Sequence, residues 1–329
     1  MNARLGAAGA TLLALLQSAA PRAAQDADYA KCRDIQDDRA RLACFDAVGQ
    51  ASMGPPPSYL ERHWKLGPGD KRISIDDVQP HQPTYVLVGK WTNHVNTQPS
   101  SPSPDHTVPV AIPYNNDELA FQLSFKSELL SRHDFDRRYL GLGNVRLWFA
   151  YTQRSFWQMY NPRLSRPFRE TNYEPEVIAT FSTGNQDDGW KLLNLGLVHQ
   201  SNGRSLPQSR SWNRVYAQGG WEWGRLAVLA RAWYRIPESA EKDDNPDIQD
   251  YLGRGDVQLR WQLDNDKSVS LLLRRSFQAG RGFAQLDWTS RKLLGAARVY
   301  VQATSGFGES LIDYNFRQNT IGIGFAYGS

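Results

Sequence analysis

LGLVHQSNGRSLPQSRSWNRVY, residues 195–216, reads as two extended segments joined by a polar loop. Leu193, Leu195 and Leu197 share a parity, and side chains two apart on a strand point to one face. His199 and Ser201 continue that leucine face, while Asn194, Gly196 and Gln200 occupy the other. An Asn202-Gly203 turn signal and a run of hydroxyls and arginines follow. Asn213 then opens the next segment, on the parity of Val215 and Ala217. A histidine beside a serine can take the hydroxyl proton. Nucleophilic hydrolysis needs that pairing and a third group to orient the imidazole. Asn213 is that group if the chain turns back through 202–212.

Outward from this stretch the same alternation recurs. Tyr85, Leu87, Gly89 and Trp91 share a parity, as do Leu119, Phe121, Leu123 and Phe125, and Val145, Leu147, Phe149 and Tyr151. Further strands are expected at 174–182, 190–201, 213–222, 225–234, 251–263, 268–276, 284–289, 296–304 and 320–327, twelve in all. The connections mostly alternate long and short. The long set is 93–117, 157–173, 202–212, 235–250, 277–283 and 305–319; the short set is 131–142, 184–189, 223–224, 264–267 and 290–295. An even strand number with short turns on one side and longer loops on the other predicts a twelve-stranded antiparallel transmembrane β-barrel, all-β, with both termini periplasmic. A soluble β-sandwich is the alternative, but it has no need of aromatics at so many strand ends.

Composition agrees with a barrel. The 329 residues carry a formal charge of +4, too mild to argue for nucleic acid. Mean hydropathy is −0.57, and beyond the N-terminus no apolar run approaches the ~20 residues of a spanning helix. A barrel wall alternates, so it averages as if soluble. Trp, Tyr and Phe number 11, 14 and 13, the stock for interfacial girdles.

The N-terminal quarter reads differently. Residues 1–24 have the form of a secretory signal: Arg4, an apolar stretch from Leu5 to Leu16, then small residues. Residues 25–52 hold the two cysteines, Cys32 and Cys44, in a helical stretch that forms a small periplasmic extension. After export a disulfide is expected, closing a short loop at roughly 3 kcal/mol. Without a C-x-x-C spacing a redox dithiol is disfavoured. Residues 53–82 read as linker and extension, and 83–329 as the barrel domain.

Beyond the barrel pattern, the segments YTQRSFWQ (151–158), PFRETNYEPEV (167–177), HQSNGRSLPQSRSWNR (199–214), DDNPDI (243–248) and GFGESLIDYNF (306–316) resemble outer membrane phospholipase A, a twelve-stranded enzyme of Gram-negative bacteria. The resemblance implies calcium-dependent hydrolysis of membrane phospholipids and lysophospholipids at either acyl chain, in the outer membrane. It implies His199 as general base, Ser201 as nucleophile and Asn213 as the group orienting the imidazole. It implies calcium held by the backbone carbonyl of Arg204, the Ser209 hydroxyl and Ser165 of a second subunit, so that the active state is a homodimer. A second calcium site would use Asp244, but Leu206 stands where some members carry an aspartate. Gln153 shares the parity of Val145, Leu147, Phe149 and Tyr151, so an outward amide is expected at the dimer interface. Arg204, Arg210 and Arg214 are candidates for lipopolysaccharide phosphates. Two other functions are weighed: a lipid A deacylase, another barrel with an outward His-x-Ser pair, and a pore. Arg146, Trp148, Arg214, Tyr216, Gln218, Arg260 and Gln262 share the inward parity and crowd any lumen.

Overall fold

From Arg317 to Tyr327 every second residue is buried and every other one exposed. Ile321, Ile323, Phe325 and Tyr327 face out; Gln318, Thr320 and Ala326 face in. That is a soluble pattern turned inside out, with the apolar side on the surface. A computed structural model describes residues 30–53, 57–67, 78–132 and 142–327. The expected signal at 1–24 lies outside the described residues, as do 133–141 of the first short connection.

Twelve strands make the wall: β1 (Thr84–Thr92), β2 (Asp117–Arg132), β3 (Gly143–Trp157), β4 (Glu170–Ser182), β5 (Gly189–Ser201), β6 (Ser211–Trp223), β7 (Leu226–Ile236), β8 (Gly255–Gln262), β9 (Ser268–Ser276), β10 (Arg281–Leu294), β11 (Ala297–Phe307) and β12 (Arg317–Tyr327). Each pairs antiparallel with the next, and β12 returns to β1, so the sheet closes with no free edge. The long connections gather at one end and the short ones at the other, as their lengths predicted.

Three differences from expectation have local causes. The span 251–263 is not one strand: Ile248–Leu252 is a short helix, ended by Gly253 at φ 73°, and the strand starts at Gly255. β10 runs on to Leu294 through bulges opposite β11, so its connection shrinks to two residues. The third concerns the stretch expected as linker. Tyr59–Trp64, here α2, is a helix with a Ser58–Glu61 capping box, and Leu60 and Trp64 are buried in the barrel interior.

The interior is filled. α2 closes the short-connection end: the Glu222 carboxylate accepts the Leu60 N–H at 3.0 Å and the Ser58 hydroxyl, and Arg146 donates to the Lys65 carbonyl at 2.8 Å. Trp64 stands edge-on to Trp148, and Lys126 lies 3.8 Å over the Trp64 ring. Towards the long-loop end Lys90 and Arg169 pair with Glu118, Glu309 and Asp313 at 2.8–3.2 Å, every member nearly inaccessible. Of the expected inward residues, Arg146, Trp148, Arg214 and Tyr216 are buried.

The N-terminal unit, up to Pro57, is separate from the barrel unit beginning at Ser58. It holds α1 (Asp38–Met53), with the Asp37 carboxylate accepting the Ala40 N–H at 2.8 Å, and the Cys32–Cys44 disulfide.

Candidate active site

Strands β5 and β6 form one hairpin whose register sets His199 opposite Asn213 and Ser201 opposite Ser211. The leucine parity is outward, as Leu195 and Leu197 are exposed. His199 is exposed on that face, and Ser201 and Asn213 are half-buried. The His199 Nδ1 and the Asn213 Oδ1 are 2.8 Å apart across the strands. An amide oxygen only accepts, so Nδ1 is the protonated nitrogen and Nε2 is left as an acceptor. Ser201 follows two residues along the same face. The Asn213 Nδ2 donates in turn to the Glu238 carboxylate at 2.8 Å. Glu238 lies two residues beyond β7, whose Ile236 is the register partner of Asn213.

The loop after the serine is fixed by one side chain. The Asn202 Oδ1 accepts the N–H groups of Arg204 and Arg210, and its Nδ2 donates to the Gln208 carbonyl at 2.8 Å. Gly203, at φ 62°, makes the turn, where an added Cβ would meet the Tyr173 ring at 3.2 Å. Glu170 accepts from Asn172 at 2.6 Å and from the Ile312 N–H, so the pair braces the 308–316 loop.

Arg204 and Ser209 sit at the two ends of this knot. The Ser209 hydroxyl donates to the Asp244 Oδ2 at 2.8 Å, and Ser211 donates to the same oxygen at 3.1 Å. The other Asp244 oxygen is 3.0 Å from the His106 Nε2. Ser101 and Ser103 tie the long 93–116 loop to the Asp244 and Asp243 carbonyls. Leu206 is exposed and offers no ligand. Ser165 lies in the 158–169 loop, its carbonyl accepting the Trp157 indole N–H at 2.7 Å. Among the described residues no group of three or more His, Cys, Asp or Glu side chains could hold a metal.

Two groups of sequence candidates already hold bonds within the chain. The three arginines considered for lipopolysaccharide direct their guanidinium groups at the protein's own carbonyls and rings. Arg204 donates to the Phe168 and Arg169 carbonyls, Arg210 to the Pro207, Ser209 and His106 carbonyls, and Arg214 stacks on Trp212 beside Glu174. Gln153 is half-buried on the outer face, but its amide is not left wanting. It accepts from Tyr151 at 3.1 Å and donates to Ser155 at 3.2 Å. The sequence reading missed Glu238, Asn202 and His106. Only the Asn-Gly pair signalled one of them.

A closed twelve-stranded antiparallel wall with its apolar side outward defines a membrane barrel of the outer-membrane class. Its β5–β6 hairpin adds an outward polar cluster of His199, Asn213 and Ser201 at one rim. The chain belongs to the phospholipase A1 family, whose model matches residues 60–327. It is 38% identical over 257 residues to a phospholipase A1 of Escherichia coli K12, covering 77% of this chain and 85% of that one. It is 42% identical over 289 residues to a provisionally named phospholipase A1 of Neisseria meningitidis serogroup B, covering 86% and 72%. The fold is similar to the outer membrane phospholipase dimer of Salmonella typhi with bound calcium, at a TM-score of 0.67, 33% identity and coverage of 78% and 94%. It is also similar to outer membrane phospholipase A of E. coli, at a TM-score of 0.68, 32% identity and coverage of 80% and 96%.

Proposed function

We propose that this chain hydrolyses the acyl esters of phospholipids and lysophospholipids at the outer rim of an outer-membrane barrel. The observation that carries the reading is the His199–Asn213 bond on the apolar outer face, with Ser201 two residues along. An imidazole there meets acyl chains and ester carbonyls rather than bulk water.

In the mechanism Ser201 Oγ attacks the ester carbonyl and its proton passes to His199 Nε2. Asn213 Oδ1 holds Nδ1–H and stabilises the imidazolium. The tetrahedral oxyanion takes a hydrogen bond from the Ser201 backbone N–H. As the intermediate collapses, Nε2–H protonates the leaving alkoxide, and water then releases the fatty acid from Ser201 with His199 again as base. A neutral asparagine spares the rim a carboxylate facing lipid.

Calcium fits the loop beside the triad. The Ser209 hydroxyl and the Asp244 carboxylate bonded to it are hard oxygen donors, and the Arg204 carbonyl on the same loop would add a third. When bound there, the ion supplies Lewis acidity near the oxyanion. Ser165 of a second copy completes the set, so the dimer is the active state and outward Gln153 lies in its interface. Asp244 serves the primary set rather than a second site, since Leu206 contributes nothing. Lipopolysaccharide contact falls to Arg204, Arg210 and Arg214 near the catalytic loop and to Arg254, Arg275, Arg281 and Arg317, which line a groove at the long-loop end. The long loops face outside and both chain termini face the periplasm.

A pore is disfavoured by the plugged interior, and conductance of reconstituted protein tests it. A lipid A deacylase reading is separated by assaying both lipid classes. The deciding assay is phospholipid hydrolysis in detergent, with and without calcium, for wild type and Ser201→Ala. Hydrolysis should require both calcium and the serine. Survival of full activity in Ser201→Ala removes the catalytic assignment, and full activity in a covalently isolated monomer removes the dimer.

A further inference from the structure

We infer that Glu238 is a fourth member of the active-site chain, a positioning residue that fixes which way the Asn213 amide faces. The inference rests on the triad reading above. An amide has two nearly isosteric ends, and only one suits His199. With Oδ1 inward, the ring holds its proton on Nδ1 and presents Nε2 to Ser201. Turned over, Nδ2–H would confront Nδ1 as a donor, favour a proton on Nε2 and leave no base beside the serine. A carboxylate can only accept, so a carboxylate on the far side of Asn213 selects the working orientation. Glu238 is that carboxylate, with Oε1 2.8 Å from Asn213 Nδ2.

The placement argues that this bond is the reason for the residue. Glu238 lies two positions beyond Ile236, the register partner of Asn213, so it keeps the outward parity and reaches the same face. Its second oxygen, Oε2, is buried and has no partner among the described residues. The rest of that loop is braced by other groups: Arg235 meets Asp243 at 2.5 Å, and Asn245 accepts the Ser211 N–H at 3.1 Å. A buried carboxylate oxygen left without a partner is costly. The cost is explained when the other oxygen is held for one specific bond.

Charge exchange across the pair tests this. Purified full-length variants are assayed for kcat and KM on a lysophospholipid in detergent with calcium, and folded-barrel electrophoretic mobility confirms assembly. Glu238→Ala should lower kcat about 10-fold with KM within about twofold, as expected for a group acting on the chemical step. Glu238→Gln, whose carbonyl still accepts, should lose less. Asn213→Asp faces one carboxylate with another and should fall about 100-fold. Adding Glu238→Gln to Asn213→Asp restores a donor–acceptor pair and should recover at least about 10-fold of that loss, a non-additivity that a merely structural residue does not produce. Wild-type kcat in Glu238→Ala, or a double variant no better than Asn213→Asp alone, overturns the inference. Ser201→Ala runs alongside. If it is inactive while the Glu238 variants match wild type, only the role of Glu238 fails; if it remains active, the triad reading itself fails.

Discussion

The β5–β6 hairpin carries two register-matched polar pairs, one on each face of the wall. Inside, Asn194 donates to Gln218 at 2.9 Å; outside, His199 and Asn213 meet at 2.8 Å. The bonds are nearly the same length and only a few rungs apart. The inner pair sits among the buried polar side chains that fill the barrel. The outer pair stands beyond a leucine face that offers it nothing. A polar group in the interior is there to be satisfied. A polar group on the apolar side must be satisfied by its own small circle, and what remains unspent, the Nε2 of His199 and the hydroxyl of Ser201, is available for chemistry. Which face a residue occupies therefore decides its role more than its type does.

Breaking the outer face should have the largest effect. Ser201→Ala or His199→Ala should each reduce hydrolysis by about 10⁴-fold or more, measured by fatty-acid release, while heat-modified mobility of the barrel stays as in wild type. Breaking the inner face should do the reverse. Arg169→Ala leaves Asp313 buried without its cation and Glu118 with Lys90 alone, and should cost about 3–5 kcal/mol of barrel stability, read from the unfolding midpoint in detergent. Asn213→Ala should cost about 100-fold in kcat, less than the serine or histidine because an orienting group costs less than a reacting one.

Glu222→Ala frees the N-terminus of α2 and should lower stability by about 1–3 kcal/mol with hydrolysis nearly unchanged. Glu222 is remote from the outer rim, so a large loss of kcat there would blur the distinction between the faces.

The smallest effect concerns pH. The Tyr314 phenol, in the 308–316 loop, is pushed above its ordinary 10 by burial and then by its hydrogen bond to Asp247. A raised folded value means the folded state holds the proton more tightly. That stability is fully present below pH 10 and is lost as pH rises through the folded value. Tyr314→Phe should flatten the alkaline limb of the stability profile and lower the neutral plateau by about 1 kcal/mol, because the bond to Asp247 is lost.

Much of this was legible in the sequence, because a wall that alternates in and out writes its geometry at period two. The outward parity of Leu195, Leu197 and His199 could be read directly, as could the matching parity of Asn213. Loop lengths gave the two ends. What could not be read depends on long-range contacts or on the meeting of loops. α2 looked like mixed polar sequence because its fit depends on Glu222, Lys191 and Arg146, residues far along the chain. The bonds of the rim arginines were hidden for a related reason. A basic residue near a rim resembles any other until the carbonyls of a folded-back loop are known to receive it, as they receive Arg204 and Arg210. Glu238 has no motif at all. It is visible only once β7 has been registered against β6.

The division of the site between two strands has a consequence for the journey of the chain as well as for its chemistry. His199 and Ser201 travel on one strand and Asn213 on the next, and only the pairing of β5 with β6 brings the amide to the ring. Before insertion, the polypeptide carries a serine and an untethered histidine with no oriented base. On the proposed triad, hydrolysis therefore waits for the pairing of the two strands, and the order of assembly itself sets when the site is complete.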